Sequence, residues 1–315
     1  MHSPHERGDG TRQRHIGAVD IGGTKIAVGV VRDDGVVLSR RECLTLPENG
    51  YADALQRVEL MLREVSANSG ELDGIGVGCP GPLDPFSGTI HQVGTLPGWE
   101  GAQIARELQT RFGVNVAVEN DADAAALAEF HWGSASSCSS FVYITVSTGI
   151  GGGIVLDGKL YRGAKGAHPE FGHHVLDASG PSCYCGARGC WESLASGLAM
   201  TAWMKTVAPE MPSMSASAIC ERATLGDPLA LKAMQRQAHY LGLGLANIVT
   251  LFMPERIALG GGVMRSSSLF LRETKQIVST ICTQVPVAQT VIECAELGAD
   301  VGLLGAAQCW LQRYR

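Results

Sequence analysis

The chain has 315 residues, 45% of them hydrophobic, enough to bury a large core and to fill two domains of ordinary size. A formal net charge of −6 and the absence of a Lys/Arg cluster argue against a nucleic-acid partner held by bulk charge. The N-terminus has no apolar signal core, and no later apolar run without charges reaches the length of a membrane span, so a cytoplasmic protein without a membrane partner is expected. Residues 1–14 read as a disordered tail, and His2, His5 and His15 are too loosely spaced to form a metal site. Ten cysteines are too few for a small disulfide scaffold. Cys43, Cys79, Cys220, Cys282 and Cys309 stand singly in apolar company and are expected to be reduced and buried.

In chain order, IGAVDIGGTKIAVGVV (16–31) predicts two strands about a turn at Gly22-Gly23, and VRDDGVVLSRRECL continues through an Asp34-Gly35 hairpin. Apolar residues at helical spacing predict a helix over 51–68. GIGVGCPG (74–81) reads as a buried strand ending in a turn, IARELQTRF (104–112) as a short helix, and VNVAVEN (114–120) as a strand ending at Asn120. The alanine-rich DADAAALAEFHWG (121–133) begins on an acid, which puts Asp121 at or near a helix N-terminus. SASSCSS (134–140) is a polar break. FVYITVSTGIGGGIVLDGKLY (141–161) then repeats the opening order of strand, glycine turn, strand and Asp-Gly hairpin.

Helical patterns dominate the remainder: 194–207, 227–253 and 269–278, with ERIALGGGV (255–263) as a strand entering a glycine turn and a strand and long helix to finish. The repetition suggests a duplicated α/β unit with a ligand cleft between its halves, a small domain over 15–134 and a large one over 135–315. The final helix, about 297–313, is expected to pack back toward the small domain.

The glycines, 40 in number against a usual share of about 7%, are bunched as DIGGTK, STGIGGG and LGGGV, which suggests tight turns near a ligand. DIGGTK (20–25) lacks the spacing of a Walker sequence and of GxGxxG. It reads as a hairpin whose amides and Thr24 hydroxyl can approach phosphate oxygens, with Asp20 at the strand end suited to hold Mg²⁺ through water. The other two turns are weak signals singly; ATP would explain all three together. A carboxylate such as Asp121, at a strand end in a cleft, can accept a proton from a sugar hydroxyl, the plain alternative being a helix cap. Asn120 can donate to sugar hydroxyls or accept from them.

GAHPEFGHHVLDASGPSCYCGARGCWE (166–192) holds Cys183, Cys185 and Cys190, three soft ligands that one of His168, His173 or His174 would complete to a tetrahedral Zn²⁺ site. Such a site would be closed and structural. It would also fix Glu170 and Glu192 as two acceptors for a polyol.

These motifs together resemble the ROK family (repressor, open reading frame, kinase), glucokinase-like bacterial sugar kinases. The likeness runs from about residue 16 to the C-terminus through DIGGTK, PGP, ENDADAAALAE, STGIGGG, EFGH with CxCG..GCxE, and LGGGV, in family order. It implies an α/β, two-domain actin-like ATPase (ribonuclease H-like) fold with its site in the cleft. It implies a first phosphate turn at Asp20, Gly22, Gly23, Thr24 and Lys25, a second at Thr148 and Gly149, and Gly260, Gly261 and Gly262 beside adenosine. Asp121 matches the family base. Asn120, Glu170, His173 and Glu192 match sugar contacts, with Gly81 of the PGP turn near the same pocket. His173, Cys183, Cys185 and Cys190 match structural zinc ligands, His173 turning its other ring nitrogen to the sugar. The family is also commonly homodimeric, for which the apolar stretch 241–253 is a candidate, its own core being the alternative.

Two features depart from the glucokinase pattern. His168-Pro169 before Glu170 resembles a fructokinase-like branch, and Thr95 stands before Leu96-Pro97-Gly98-Trp99 where many relatives carry Asn. Glucose is the expected acceptor, with N-acetylmannosamine, N-acetylglucosamine, fructose or mannose kinases and a non-catalytic sugar-binding protein as rivals. A DNA-binding repressor is not expected, since only about fifteen residues precede the first strand, fewer than a helix-turn-helix needs.

Overall fold

The computed structural model describes residues 12–314. Most of the expected tail, with His2 and His5, lies outside the described residues. The first half runs β1 (His15–Ile21), β2 (Lys25–Arg32), β3 (Val37–Leu44), α1 (Gly50–Ser66), β4 (Gly74–Cys79), a small hairpin of β5 (Leu83–Asp84) and β6 (Thr89–Ile90), α2 (Ile104–Phe112), β7 (Val116–Asn120) and α3 (Asp121–Trp132). The second runs β8 (Phe141–Val146), β9 (Ile150–Leu156), β10 (Lys159–Leu160), α4 (Trp191–Ala195), α5 (Gly197–Val207), α6 (Ala216–Thr224), α7 (Pro228–Phe252), β11 (Arg256–Gly260), α8 (Leu271–Ile281), β12 (Val291–Cys294) and α9 (Val301–Tyr314).

The repetition in sequence becomes a repetition in topology. The two sheets have the orders β3-β2-β1-β4-β7 and β10-β9-β8-β11-β12. In each, two antiparallel pairings lead into two parallel ones. A meander supplies the antiparallel side because tight turns can join its strands, whereas the parallel strands need crossovers.

Between the sheets lie α3 and α9. One face of α3 (Ala124, Leu127, Ala128) packs with Ile16 and Ala18 of β1 and with Leu303, Leu304, Ala306 and Ala307 of α9. Its Ala125 and Ala126 pack with Phe141, Tyr143 and Val155 of the second sheet. Every residue from Ala122 to Glu129 is buried, so α3 needs small side chains on all sides rather than one apolar stripe. The final helix lies on the first sheet: a β-carbon at Gly76 of β4 would collide with the Ala306 carbonyl, so glycine permits the close approach there.

Several expectations change. The helix expected over 194–207 breaks at Ser196, whose extended backbone (φ −77°, ψ 169°) lets its Oγ accept from the Ala199 amide at 3.1 Å and cap α5. The periodicity did not predict α6 or the β5–β6 hairpin. The apolar run 241–253 is largely a core element: Leu241, Leu245, Ala246, Ile248 and Val249 are buried in the second-half core, while Leu251 is 74% exposed. Of the five lone cysteines, Cys79, Cys220, Cys282 and Cys309 are buried, but Cys43 is half-buried beside Arg57 Nη1 at 3.2 Å.

Candidate active site

Parallel pairing sets the C-terminal ends of β1, β4 and β7 side by side, with Asp20 opposite Gly78 and Cys79 opposite Asn120. Asp20 Oδ1 and the Asp121 α-carbon lie 3.9 and 3.7 Å from where a Gly78 β-carbon would stand, so the two acids flank one residue. Burial pushes the Asp20 carboxyl up to about 7; the neighbouring Asp121 charge adds to the shift and Lys25 opposes it. Asp121 is also pushed up by burial, against the opposing pull of His168 and the Ala122 amide.

The helix cap belongs to Asn120, not Asp121. Asn120 Oδ1 accepts from the amides of Ala122 at 2.9 Å and Asp123 at 3.3 Å. This changes the expected role of Asn120, because its oxygen is occupied and its Nδ2 remains as the donor. Nδ2 lies 3.1 Å from a β-carbon position at Gly81, which brings the PGP turn to the same edge. Asp121 Oδ1 accepts from its own following amide at 2.9 Å, leaving Oδ2 for other chemistry.

The glycine turns are braced from behind. In the β1–β2 turn the Gly22 amide donates to the Lys25 carbonyl at 2.8 Å, and buried Thr45 donates its hydroxyl to the Gly22 carbonyl at 2.6 Å. Thr24 is exposed. Lys25 pairs with Glu42 of β3 at 3.2 Å, a solvent-exposed ion pair. In the β8–β9 turn, Thr148 is exposed and the α5 N-terminus docks beneath, with the Gly197 amide donating to the Ser147 carbonyl at 2.8 Å. The Glu192 carboxylate occupies the space a Gly149 side chain would need and accepts from the Ile150 amide at 2.8 Å. Gly260 ends β11 beside Thr145 of β8, and Gly261 and Gly262 form the turn that follows.

Of the three candidate histidines, only His173 joins the cysteines. Its Nδ1 lies 3.5 Å from Cys183 Sγ, Cys185 and Cys190 sulfurs are 3.5 Å apart, and ligand atoms from all four residues lie within 4.8 Å of one another. Tetrahedral bonds of about 2.3 Å to sulfur and 2.0 Å to nitrogen require ligand spacings of about 3.5–3.8 Å, so the set fits a soft four-coordinate ion. The Ala187 amide beside Cys185 holds that thiol below its usual range, while burial pushes the Cys183 and Cys190 thiols up. His168 is instead bonded to Asp123 Oδ2 at 2.8 Å, and His174 turns Nδ1 to the Phe171 carbonyl at 2.6 Å.

The ROK family model matches residues 16–313. The chain belongs to the ROK family. It is 32% identical over 307 residues to the glucokinase of Thermotoga maritima, covering 94% of this chain and 96% of that protein. A ROK hexokinase from Thermus thermophilus superposes with a TM-score of 0.81 at 36% identity, covering 95% of this chain and 99% of that one. A ROK glucokinase from Streptomyces griseus, solved with glucose and AMPPNP, superposes with a TM-score of 0.82 at 32% identity, covering 93% and 98%. The fold is the two-domain actin-like ATPase fold of ROK sugar kinases.

Against this ROK frame, three features have no signal in the sequence. The first is the pair of half-buried His168 with buried Asp123 next to Asp121, where burial lowers the imidazole pKa but Asp123, Glu170 and Asp121 raise it further. The second is Arg162 paired with buried Glu119 at the end of β7. The third is Tyr184, whose hydroxyl meets His173 Nε2 at 2.9 Å. Each joins residues 11 to 45 positions apart, so no local pattern marks them. A depression of about 660 Å³ lies elsewhere, lined by Tyr51, Gln103, Arg106, Glu107 and Arg111, and includes none of the site residues.

Proposed function

We infer that the protein is an ATP-dependent glucokinase that transfers the γ-phosphoryl group of ATP to O6 of glucose. The carrying observation is Asp121: Asn120 supplies the cap to the Ala122 and Asp123 amides, and Asp121, beside Asp20 at the strand ends, uses only Oδ1 on the Ala122 amide and keeps Oδ2 free. Its family members include the named glucokinases above. O6 attacks phosphorus in line, the bond from phosphorus to the bridging oxygen breaks, ADP leaves, and Asp121 takes the O6 proton. Amides at Gly23 and Thr24, the Thr24 hydroxyl, and the Thr148-Gly149 turn are suited to the phosphates, and Gly260, Gly261 and Gly262 to the adenosine side. Lys25 stands at the same turn, and its solvent-exposed pairing with Glu42 is weak enough to yield to a phosphate.

Mg²⁺ bound with ATP supplies charge neutralisation on the phosphates, and Asp20 is the carboxylate suited to hold it through water. Burial of that acid beside Asp121 fits a cation, whose charge would relieve the repulsion between the two. His173, Cys183, Cys185 and Cys190 would hold a structural zinc ion, which supplies rigidity to the loop bearing Glu170 and His173. Asn120 Nδ2, Glu170, His173, Glu192 and the backbone at Gly81 form the sugar subsite.

Glucose is expected to give the highest kcat/KM in a coupled ADP-release assay across hexoses and N-acetylated hexosamines. Mannose should be weaker, because its axial O2 leaves a fixed partner unpaired, a loss that polar sites punish strongly. Fructose or an N-acetylated hexosamine exceeding glucose tenfold would replace the acceptor and leave the kinase.

The cytoplasm fits ten cysteines that are all unpaired, and among the described residues no helix is long and apolar enough to cross a membrane. A homodimer is the assembly we assign. With 241–253 largely in the core, the apolar side chain that run offers an interface is Leu251 alone, which is 74% exposed. Sedimentation at micromolar concentration should give twice the 33.2 kDa chain mass; a monomer alone would overturn it.

A further inference from the structure

Tyr184 stands between two of the cysteines, and its side chain is 81% exposed. Its hydroxyl nevertheless has a partner. It meets His173 Nε2 at 2.9 Å, and the two rings pack edge to face with centroids 5.0 Å apart at 88°. The carboxylates of Glu192 and Glu170 are near enough for their charges to act on the phenol. Because His173 Nδ1 faces the cysteine cluster, Nε2 is the nitrogen left to carry the proton and donate to the phenol oxygen. The phenol can in turn donate to a carboxylate. An oxygen that accepts from imidazole and donates to a carboxylate does what a sugar hydroxyl would do at that place, and two oxygens cannot occupy it together.

We propose that the Tyr184 hydroxyl is a built-in stand-in for one sugar hydroxyl. It fills the subsite between His173 and Glu192 in the sugar-free protein and swings into solvent when the sugar binds. The idea rests on the reading that places the sugar at Glu170, His173 and Glu192. The movement breaks no core packing, since the ring is already in solvent; only one hydrogen bond and one ring contact are lost. The competition weakens sugar binding but is over before phosphoryl transfer, so it acts on KM and not on kcat.

Calorimetric titration of glucose into wild type, Tyr184→Phe, Tyr184→Ala and Glu170→Gln tests this. Tyr184→Phe should lower the glucose Kd by about threefold to tenfold, the worth of one net hydrogen bond. KM should fall in parallel with kcat unchanged. Tyr184→Ala should tighten binding similarly, which assigns the effect to the hydroxyl rather than the ring. An unchanged or higher Kd in Tyr184→Phe overturns the proposal. If Glu170→Gln weakens glucose binding while Tyr184→Phe does not tighten it, the tyrosine role alone falls. If Glu170→Gln leaves the Kd unaltered, the sugar lies elsewhere and both readings fall.

Discussion

Asp121→Asn should lower kcat by about 10²–10⁴-fold, the usual loss when a general base is removed, while glucose affinity stays within a few-fold. Asparagine keeps the shape at the start of α3, and the cap made by Asn120 does not depend on Asp121, so the change isolates the proton acceptor. Steady-state kinetics decide it: a kcat within threefold of wild type removes Asp121 from the mechanism. In the wild type the acid limb of the kcat profile should lie above the ordinary carboxylate range, because burial raises the Asp121 pKa and the base must be ionised to act. The sign for stability is opposite. A carboxyl raised in the folded state contributes stability below its unfolded pKa and loses that contribution as pH rises through the folded value. At pH 8 Asp121→Asn should therefore melt no lower than wild type, which separates lost chemistry from lost structure. The same linkage applies to Asp20, whose contribution is lost as pH rises from its ordinary 3.8 through about 7.

Cys185→Ser should reduce bound zinc from about one ion per chain to a small fraction and lower the melting temperature. Structural zinc is part of the folding free energy. A loss on the order of 3 kcal/mol corresponds to roughly 4–5 °C in a chain of 315 residues, at about 2.1 cal/mol/K of unfolding entropy per residue. Cys185 is the informative ligand because it is exposed, whereas Cys190 is fully buried and its substitution would disturb packing as well. Activity should fall too, since His173 and Glu170 sit on the loop that the ion would tie down. The measurement is metal analysis of protein prepared without added zinc: a metal-free enzyme of full stability and activity contradicts the structural role.

Much of the architecture is legible in the residue order. The ordered repeat of strand, glycine turn and Asp-Gly hairpin becomes two sheets with the same strand order, because alternating β-branched residues and tight turns encode a meander locally. Asp121 at a helix start is legible for the same reason, as a strand run meeting an alanine-rich run at one acid. The cysteine spacing points to a metal cluster, and the structure brings those three sulfurs together with one imidazole.

What the residue order leaves open depends on contacts between distant segments. Three histidines near the cysteines are equal candidates by spacing. Tertiary packing sends His168 to Asp123 on α3 and His174 to a backbone carbonyl, so only His173 reaches the cluster. Which residue caps α3 turns on backbone geometry, and whether the 241–253 run faces solvent turns on neighbours contributed by other helices. Glu192 beneath the β8–β9 turn and Tyr184 against His173 follow the same rule. Local periodicity sets elements and turns because adjacent residues interact through the backbone, while the partners of a polar side chain are chosen by the fold, which alone decides what desolvates it and what reaches it.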